Sequence, residues 1–214
     1  KDYFNNNFNG PDRLFTYIEF IIDLNSFMIS NGKILTFTKA TLIKEFPKVR
    51  ERIDYCLAKN NHELKELENG RQIIVEKNVY ASEVSQIISE SNIEDAIKVL
   101  EYNHFSNKGD IQRKKEILIS LANYLEPLRD ELNAFEELKE VMKVISKKII
   151  AVDKLFDMYN NLGLRHNNSD QYHLEMTEEE LEQWYDDIYT STLFVILSLD
   201  EARILSKLKT LRNG

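Results

Sequence analysis

The sequence predicts an all-α protein, an antiparallel helical bundle preceded by a small helical N-terminal subdomain, and three observations carry that expectation. Glycine and proline are scarce, 6 and 3 in 214 residues, as suits a chain whose reversals need little special backbone geometry. Apolar residues recur at alternating short steps along several stretches, the period of one helical face. A hydrophobic content of 43% with 10% aromatic residues suffices for a sizeable core at this length.

Gly10-Pro11-Asp12 opens the first helix, with proline suited to a first turn. Leu14, Tyr17, Ile18, Ile21, Ile22, Leu24, Phe27 and Met28 cover more than one face, so this helix is expected to be well buried, and Asn31-Gly32 stops it. A short helix follows Phe37 and is expected to end before Pro47, because the residue ahead of proline avoids α geometry. Another helix spans about Val49 to Leu67, with Cys56 read as a small buried hydrophobe. Asn69-Gly70 breaks it. Residues 71–79 are the one β-branched stretch, either an isolated strand or hairpin, or an irregular connector. The boundary between an N-terminal subdomain (1–80) and the main bundle (81–214) falls here.

Ser91 and Glu94 have capping-box spacing and open a helix through Ile93, Ala96, Ile97 and Leu100. Residues 106–110 read as a turn. From Ile111 a long helix carries Ile117, Leu118, Leu121, Leu125, Leu128 and Leu132, with a kink or restart expected at Pro127. Phe135 to Tyr159 makes another stripe. Thr177 and Glu180 form a second capping box, starting a helix that bears Leu181, Trp184, Ile188, Leu193, Ile196 and Leu199 and runs to Leu208 or breaks near Asp200. Internal repeats are absent from the sequence.

A net charge of -8 and a pI near 5.2 oppose broad nucleic-acid binding, so any such contact must be local. Lys139, Lys143, Lys147, Lys148 and Lys154 line one helix, and Lys207, Lys209 and Arg212 make a basic end; such runs are usually solvated faces. One cysteine excludes an intramolecular disulfide. Glycine-rich phosphate loops, metal-ligand spacings and nucleophile elbows are missing, and Glu178-Glu179-Glu180 is explained by the helix dipole. No metal, no cofactor and no membrane span are expected, and a cytoplasmic location fits.

The stretch from Tyr159 to His173 stands apart, because Arg165, His166, His173 and several amides crowd together there without an apolar period. With the preceding helix expected to end around Leu164 to His166, Arg165 would sit at its C-terminus. Arginine grips a phosphate through two N–H groups, and histidine takes and gives a proton near neutral pH. Asn167 and Asn168 can hold a phosphate, sugar or base edge. These are the parts of a metal-independent ribonuclease, in which each acid–base group is worth roughly 10² to 10⁴ in rate. Equally, a cation near a helix C-terminus complements the dipole, and Asn-Asn-Ser-Asp is ordinary turn chemistry.

Residues 160–168, followed by a polar loop and an apolar helix containing Trp184 and Tyr185, resemble the C-terminal signature of bacterial abortive-infection proteins in the HEPN superfamily. Leu121 to Arg129 is similar to a helix of such proteins, and the likeness covers roughly Ser91 to Leu208. The resemblance implies a short helical bundle paired as a homodimer, its Arg and His residues facing one cleft where RNA is cut without metal, in defence against phage. It would make Arg165, His166 and His173 catalytic and Asn161, Asn167, Asn168 and Lys154 substrate-binding. The superfamily motif sets its His several residues beyond the Arg, whereas here His166 is adjacent and His173 follows a seven-residue gap. The alternative is a noncatalytic interaction module, a sensor, antitoxin-like or assembly domain that meets a partner protein of a defence or toxin–antitoxin system. No basic recognition helix supports a DNA-binding regulator.

Overall fold

The computed structural model describes residues 11–30, 36–134, 136, 138, 150–164 and 175–213. The chain is mostly helical, with one two-stranded hairpin, and it divides into two units, Lys1–Lys77 with Asn103–Lys108, and Asn78–Tyr102 with Gly109–Gly214.

The first unit holds helices α1 (Pro11–Ser30) and α2 (Thr36–Lys59) and strands β1 (His62–Glu66) and β2 (Gln72–Glu76). Its core gathers Phe15, Ile18 and Ile22 of α1, Ile53 and Leu57 of α2, Ile74 of β2, and Phe105. The strands pair antiparallel, His62 opposite Glu76 and Leu64 opposite Ile74, so Gln72–Glu76 of the 71–79 stretch is half of a hairpin, and Val79 already opens the next helix.

Four expectations are corrected in this unit. The helix predicted over 49–67 stops at Lys59. His62–Glu66 has a composition that suits a helix, but the apolar β2 offers it a ladder. The reversal signal is Asn60-Asn61, with Asn61 at φ 59°, the Asn60 amide donating to the Cys56 carbonyl at 2.8 Å, and the Lys77 N–H donating to the Asn61 carbonyl at 2.9 Å.

Second, α2 runs through Pro47 instead of ending before it. Proline's φ is itself helical, and its cost of about 3 kcal/mol for a lost bond and a crowded carbonyl is offset by burying Ile53 and Leu57 on the same helix. Third, Cys56 is exposed, not buried, because Ile53 and Leu57, on either side of it, take the buried face of α2. Fourth, α1 is buried on one face only, as Leu14, Phe20, Ile21 and Leu24 lie outside.

The second unit contains α3 (Val79–Ser89), α4 (Ile93–Tyr102), α5 (Ile111–Leu125), α6 (Arg129–Ala134), α7 (Ile150–Asn161) and α8 (Glu178–Asn213). A 3-10 turn over Glu126–Leu128 separates α5 from α6, so the helix restarts at Pro127. The α8 helix continues without a break at Asp200. Its inward residues are Tyr185, Ile188, Tyr189, Leu193, Ile196 and Leu199, whereas Trp184, assigned to the stripe by spacing, is 42% exposed and Tyr185 takes the core position.

The Thr177 box forms as expected, with the Thr177 N–H donating to Glu180 Oε2 (2.9 Å) and the Glu180 N–H donating to Thr177 Oγ1 (3.2 Å). The Ser91 box is displaced by one residue. Asn92 Oδ1 accepts from the Asp95 N–H at 3.1 Å and its amide donates to Asp95 Oδ2 at 2.6 Å, while the Ser91 hydroxyl bonds the Ile88 carbonyl at 3.2 Å. The α4 face explains the shift, because Asp95 and Ala96 are buried and Ile93 is exposed.

Candidate functional site

Side-chain contacts fix the directions of four helices in the second unit. Tyr159 of α7 meets Thr192 of α8 (2.7 Å) and the Tyr185 hydroxyl donates to the Leu162 carbonyl (3.4 Å), so α7 runs opposite to α8. The Tyr189 hydroxyl donates to the Val99 carbonyl (2.7 Å) and Tyr102 reaches Asp186 (2.8 Å), so α4 also opposes α8. Lys114 of α5 contacts Glu182 and Asp186, and Arg203 of α8 grips Glu131 of α6, so α5 and α6 run along α8. The C-termini of α4 and α7 and the N-termini of α5 and α8 therefore share one end, and the chain between α7 and α8 is anchored there on both sides.

The α7 anchor is short and apolar. The helix ends at Asn161, earlier than the Leu164 to His166 expected, because Gly163 takes the left-handed conformation at φ 74° that terminates helices. Leu162 and Leu164, on either side of it, are each 3% exposed. The expected continuation to Leu164 fails because both leucines enter the core from a turn.

Beside this anchor, two aromatic hydroxyls are satisfied internally. The Thr192 hydroxyl donates to the Ile188 carbonyl at 2.7 Å and accepts from Tyr159. Burial pushes the Tyr159 phenol well above its ordinary range and that of Tyr185 up to about 12. Both stay protonated and serve as donors.

A charge cluster around the buried Lys114 closes the same end. Lys114, 6% exposed, places Nζ 2.7 Å from Glu182 Oε1 and 2.7 Å from Asp186 Oδ1. The Tyr102 hydroxyl donates to Asp186 Oδ1 at 2.8 Å, and the Gly109 N–H donates to Glu182 Oε1 at 2.8 Å. Tyr102 stacks on Tyr189 with ring centroids 3.9 Å apart. Burial first, then the Asp186 charge, raises the Tyr102 phenol far above its usual range. Each group already has a partner, so the cluster is a clamp that fixes α4, α5 and α8 together.

The sequence-predicted residues divide sharply. Arg165, His166, Asn167, Asn168 and His173 lie outside the described residues, as do Lys139, Lys143, Lys147 and Lys148. Asn161 and Lys154 are described and both turn to Asp157. The Asn161 amide donates to the Asp157 carbonyl and to its Oδ1, each at 2.9 Å, and Lys154 Nζ stands 3.8 Å from Asp157 Oδ2. The Asn161 bonds close the last turn of α7, while the Lys154 side chain stays 68% exposed.

Two polar clusters were missed in the sequence. In the first unit, His104 Nε2 faces Glu19 Oε1 at 2.9 Å, Glu19 Oε1 accepts the Ile74 N–H at 2.6 Å, and His104 Nδ1 accepts from the Ser106 N–H at 3.2 Å. An accepting Nδ1 makes Nε2 the donor, and the imidazole ties Phe105–Asn107 to α1 and β2. In the second unit, Asp95 bonds Ser120, and Lys98 Nζ donates to Ser120 Oγ at 2.7 Å. Partners 85 and 25 residues apart leave no local pattern to find.

Among the described residues no group of three or more His, Cys, Asp or Glu side chains is arranged to hold a metal ion, and no helix is long and apolar enough to cross a membrane. Compared with models of known families, with curated proteins and with solved structures, the chain gives no match.

Proposed function

We propose that this chain is a HEPN-like helical protein of bacterial abortive infection that acts on RNA without metal through the segment between α7 and α8. In this reading Arg165 holds the scissile phosphate, His166 or His173 moves protons, and Asn167 and Asn168 position the nucleotide. The chemistry needs no cofactor. A homodimer would bring two such segments to one cleft, in the cytoplasm where phage RNA is made.

The observation that carries the proposal is the two-sided anchoring of this segment. Arg165 directly follows the buried Leu164, and the segment ends at the Thr177–Glu180 cap. Catalytic groups need a rigid base, since small misplacements cost large factors in rate. Asn161 and Lys154, both beside Asp157, are the substrate-binding residues nearest the segment in this reading.

A second reading, a noncatalytic interaction module for a basic partner surface, is favoured by charge. Glu178, Glu179, Glu180, Glu182, Asp186 and Asp187 put six carboxylates into the first turns of α8, at the same end of the unit, where they repel phosphates.

The test is cleavage of total RNA by purified protein in EDTA, comparing wild type with Arg165→Ala, His166→Ala and His173→Ala. Cleavage by wild type that is lost in Arg165→Ala and in one histidine variant supports the ribonuclease. Intact RNA with every protein folded by circular dichroism replaces it with the interaction module.

A further inference from the structure

In the first unit a hydroxyl, an imidazole and a carboxylate are joined in series. The Ser106 hydroxyl lies 2.7 Å from His104 Nδ1, and His104 Nε2 lies 2.9 Å from Glu19 Oε1. Two bonds decide which ring nitrogen carries the proton. Nε2 faces a carboxylate, which only accepts, and Nδ1 accepts the Ser106 N–H at 3.2 Å. Nε2 is therefore the donor, and the lone pair of Nδ1 is left to take the proton of the Ser106 hydroxyl. In this order the three groups are a serine nucleophile, its general base and the acid that orients the base.

The surrounding fold holds all three in place. Glu19 stands on α1 between the buried Ile18 and Ile22, and its Oε1 also accepts the Ile74 N–H at 2.6 Å. The backbone at His104 is fixed by its bridge to Val75 and by the Glu76 N–H, which donates to the Asn103 carbonyl at 2.9 Å. Its ring leans on that of Phe105, with centroids 4.4 Å apart. The imidazole and the carboxylate are 15% and 20% exposed, shielded enough to strengthen their attraction, whereas Ser106 is exposed and open to a substrate. Capping of the Phe105–Asn107 turn accounts for only part of this arrangement, since the cap needs the Ser106 N–H on Nδ1 and uses neither the hydroxyl nor the Glu19 charge.

We infer that Ser106, His104 and Glu19 form an acyl-transfer site for activated carboxylic esters. Ser106 Oγ attacks the acyl carbon as its proton passes to Nδ1, and Glu19, a positioning residue, stabilises the imidazolium. Once protonated, Nδ1 no longer accepts the Ser106 N–H, so that donor is released beside the new oxyanion. Collapse of the adduct breaks the bond to the leaving group, which departs with the proton from Nδ1 and leaves the acyl group on Ser106 Oγ. Water then attacks the acyl carbon and gives a proton to Nδ1, which returns it to Ser106 Oγ as the free acid departs. The Asn107 N–H is already bonded to the His104 carbonyl at 2.9 Å, so this turn offers the oxyanion one donor and not two. A missing oxyanion donor costs about 10² to 10³ in rate, which restricts the site to esters with an acidic leaving group, such as aryl esters and thioesters, and leaves amides uncut. The site lies in the first unit and does not depend on the RNA reading.

The experiment uses the full chain in a Cys56→Ser background, because the exposed Cys56 thiol would itself take up acyl groups. Hydrolysis of p-nitrophenyl acetate, and labelling by a fluorophosphonate from which Ser106 Oγ displaces fluoride, are compared between this protein and its Ser106→Ala, His104→Gln and Glu19→Gln variants, with circular dichroism as the folding control. The label should map to Ser106 by peptide mass. Hydrolysis should fall at least about 100-fold in Ser106→Ala and His104→Gln. In Glu19→Gln it should fall at least about tenfold, although glutamine keeps an acceptor for both N–H groups and would leave a purely structural link intact. Ser106→Ala removes only an exposed hydroxyl and keeps the capping N–H, so it decides the matter even if the other two variants fail to fold. A parent protein that is unlabelled and no faster than Ser106→Ala overturns the inference, as does a label on any other residue. Full hydrolysis by a folded Glu19→Gln overturns the three-residue site.

Discussion

Replacing Lys114 by methionine isolates what the buried clamp contributes. Methionine keeps the bulk of the lysine stem but removes the charge shared by Glu182 and Asp186, both 2.7 Å away. Deleting one partner of a buried pair typically costs about 3 to 5 kcal/mol, since the remaining charge is left in a dry site. Here the penalty is smaller. The Asp186 side chain is 51% exposed and recovers water, and Glu182, at 22%, keeps the Gly109 N–H. We expect about 2 to 3 kcal/mol, or a fall in Tm of roughly 5 to 10 °C for a chain of this size. Urea unfolding followed by tryptophan fluorescence is the direct assay, because the sole tryptophan, Trp184, lies on α8 between Glu182 and Asp186. A triple variant, Lys114→Met/Glu182→Gln/Asp186→Asn, should recover more than half of the loss. A single variant within about 0.5 kcal/mol of wild type, or a triple variant no better than the single, would refute the clamp.

Three further outcomes are expected. Asp95→Ala should cost more than about 1 kcal/mol and Glu94→Ala less than about 0.5, because the box joins Asn92 to Asp95; equal urea midpoints would contradict that register. Arg203 grips Glu131 through two bonds of 2.9 and 2.8 Å, and this hydrogen bonding holds Glu131 below the usual glutamate range. A depressed carboxyl stabilises the fold above its unfolded pKa and loses that contribution as pH falls through the folded value. Glu131→Gln should therefore lower stability near pH 7 and flatten its fall on acidification below about pH 5; an unchanged acid limb would exclude the pair as a contributor. Gly163→Ala must place a side chain at φ 74°, at a cost of about 1 to 2 kcal/mol. On the RNA reading it should also reduce cleavage while Gly70→Ala, at φ 79° in the hairpin loop, reduces stability alone.

The legible parts of this protein were those written within a turn or two of the chain. The Thr177–Glu180 cap, the restart at Pro127, the apolar stripes of α5 and α8, and the last part of the Phe135 to Tyr159 stripe, whose residues 135, 137 and 139–149 lie outside the described residues, all follow from contacts between near neighbours, which spacing reports directly. Small errors of register belong to the same class. Ser91 and Asn92 are both good caps, and Trp184 and Tyr185 are both apolar neighbours on a helix. Only the burial of Asp95 and of Tyr185 against their surroundings chose between them.

The candidate site was partly legible for the same reason. Glycine in Leu162-Gly163-Leu164 marks a helix end, but spacing could not say that both leucines are buried and that the end therefore falls at Asn161.

What tertiary structure alone decided concerns residues far apart in the chain. His62–Glu66 is a strand because Gln72–Glu76 pairs with it, and Cys56 is exposed because Ile53 and Leu57 take the buried face of α2. The Lys114 clamp joins residues 68 and 72 positions apart. Nor does composition separate the buried residues of α1 from its exposed ones, since Phe15 and Phe20 are the same residue type. Local sequence sets which segments can be helical and where they can end; which apolar face meets a partner, and which charges are buried together, is a property of the assembled fold, because burial depends on every element at once.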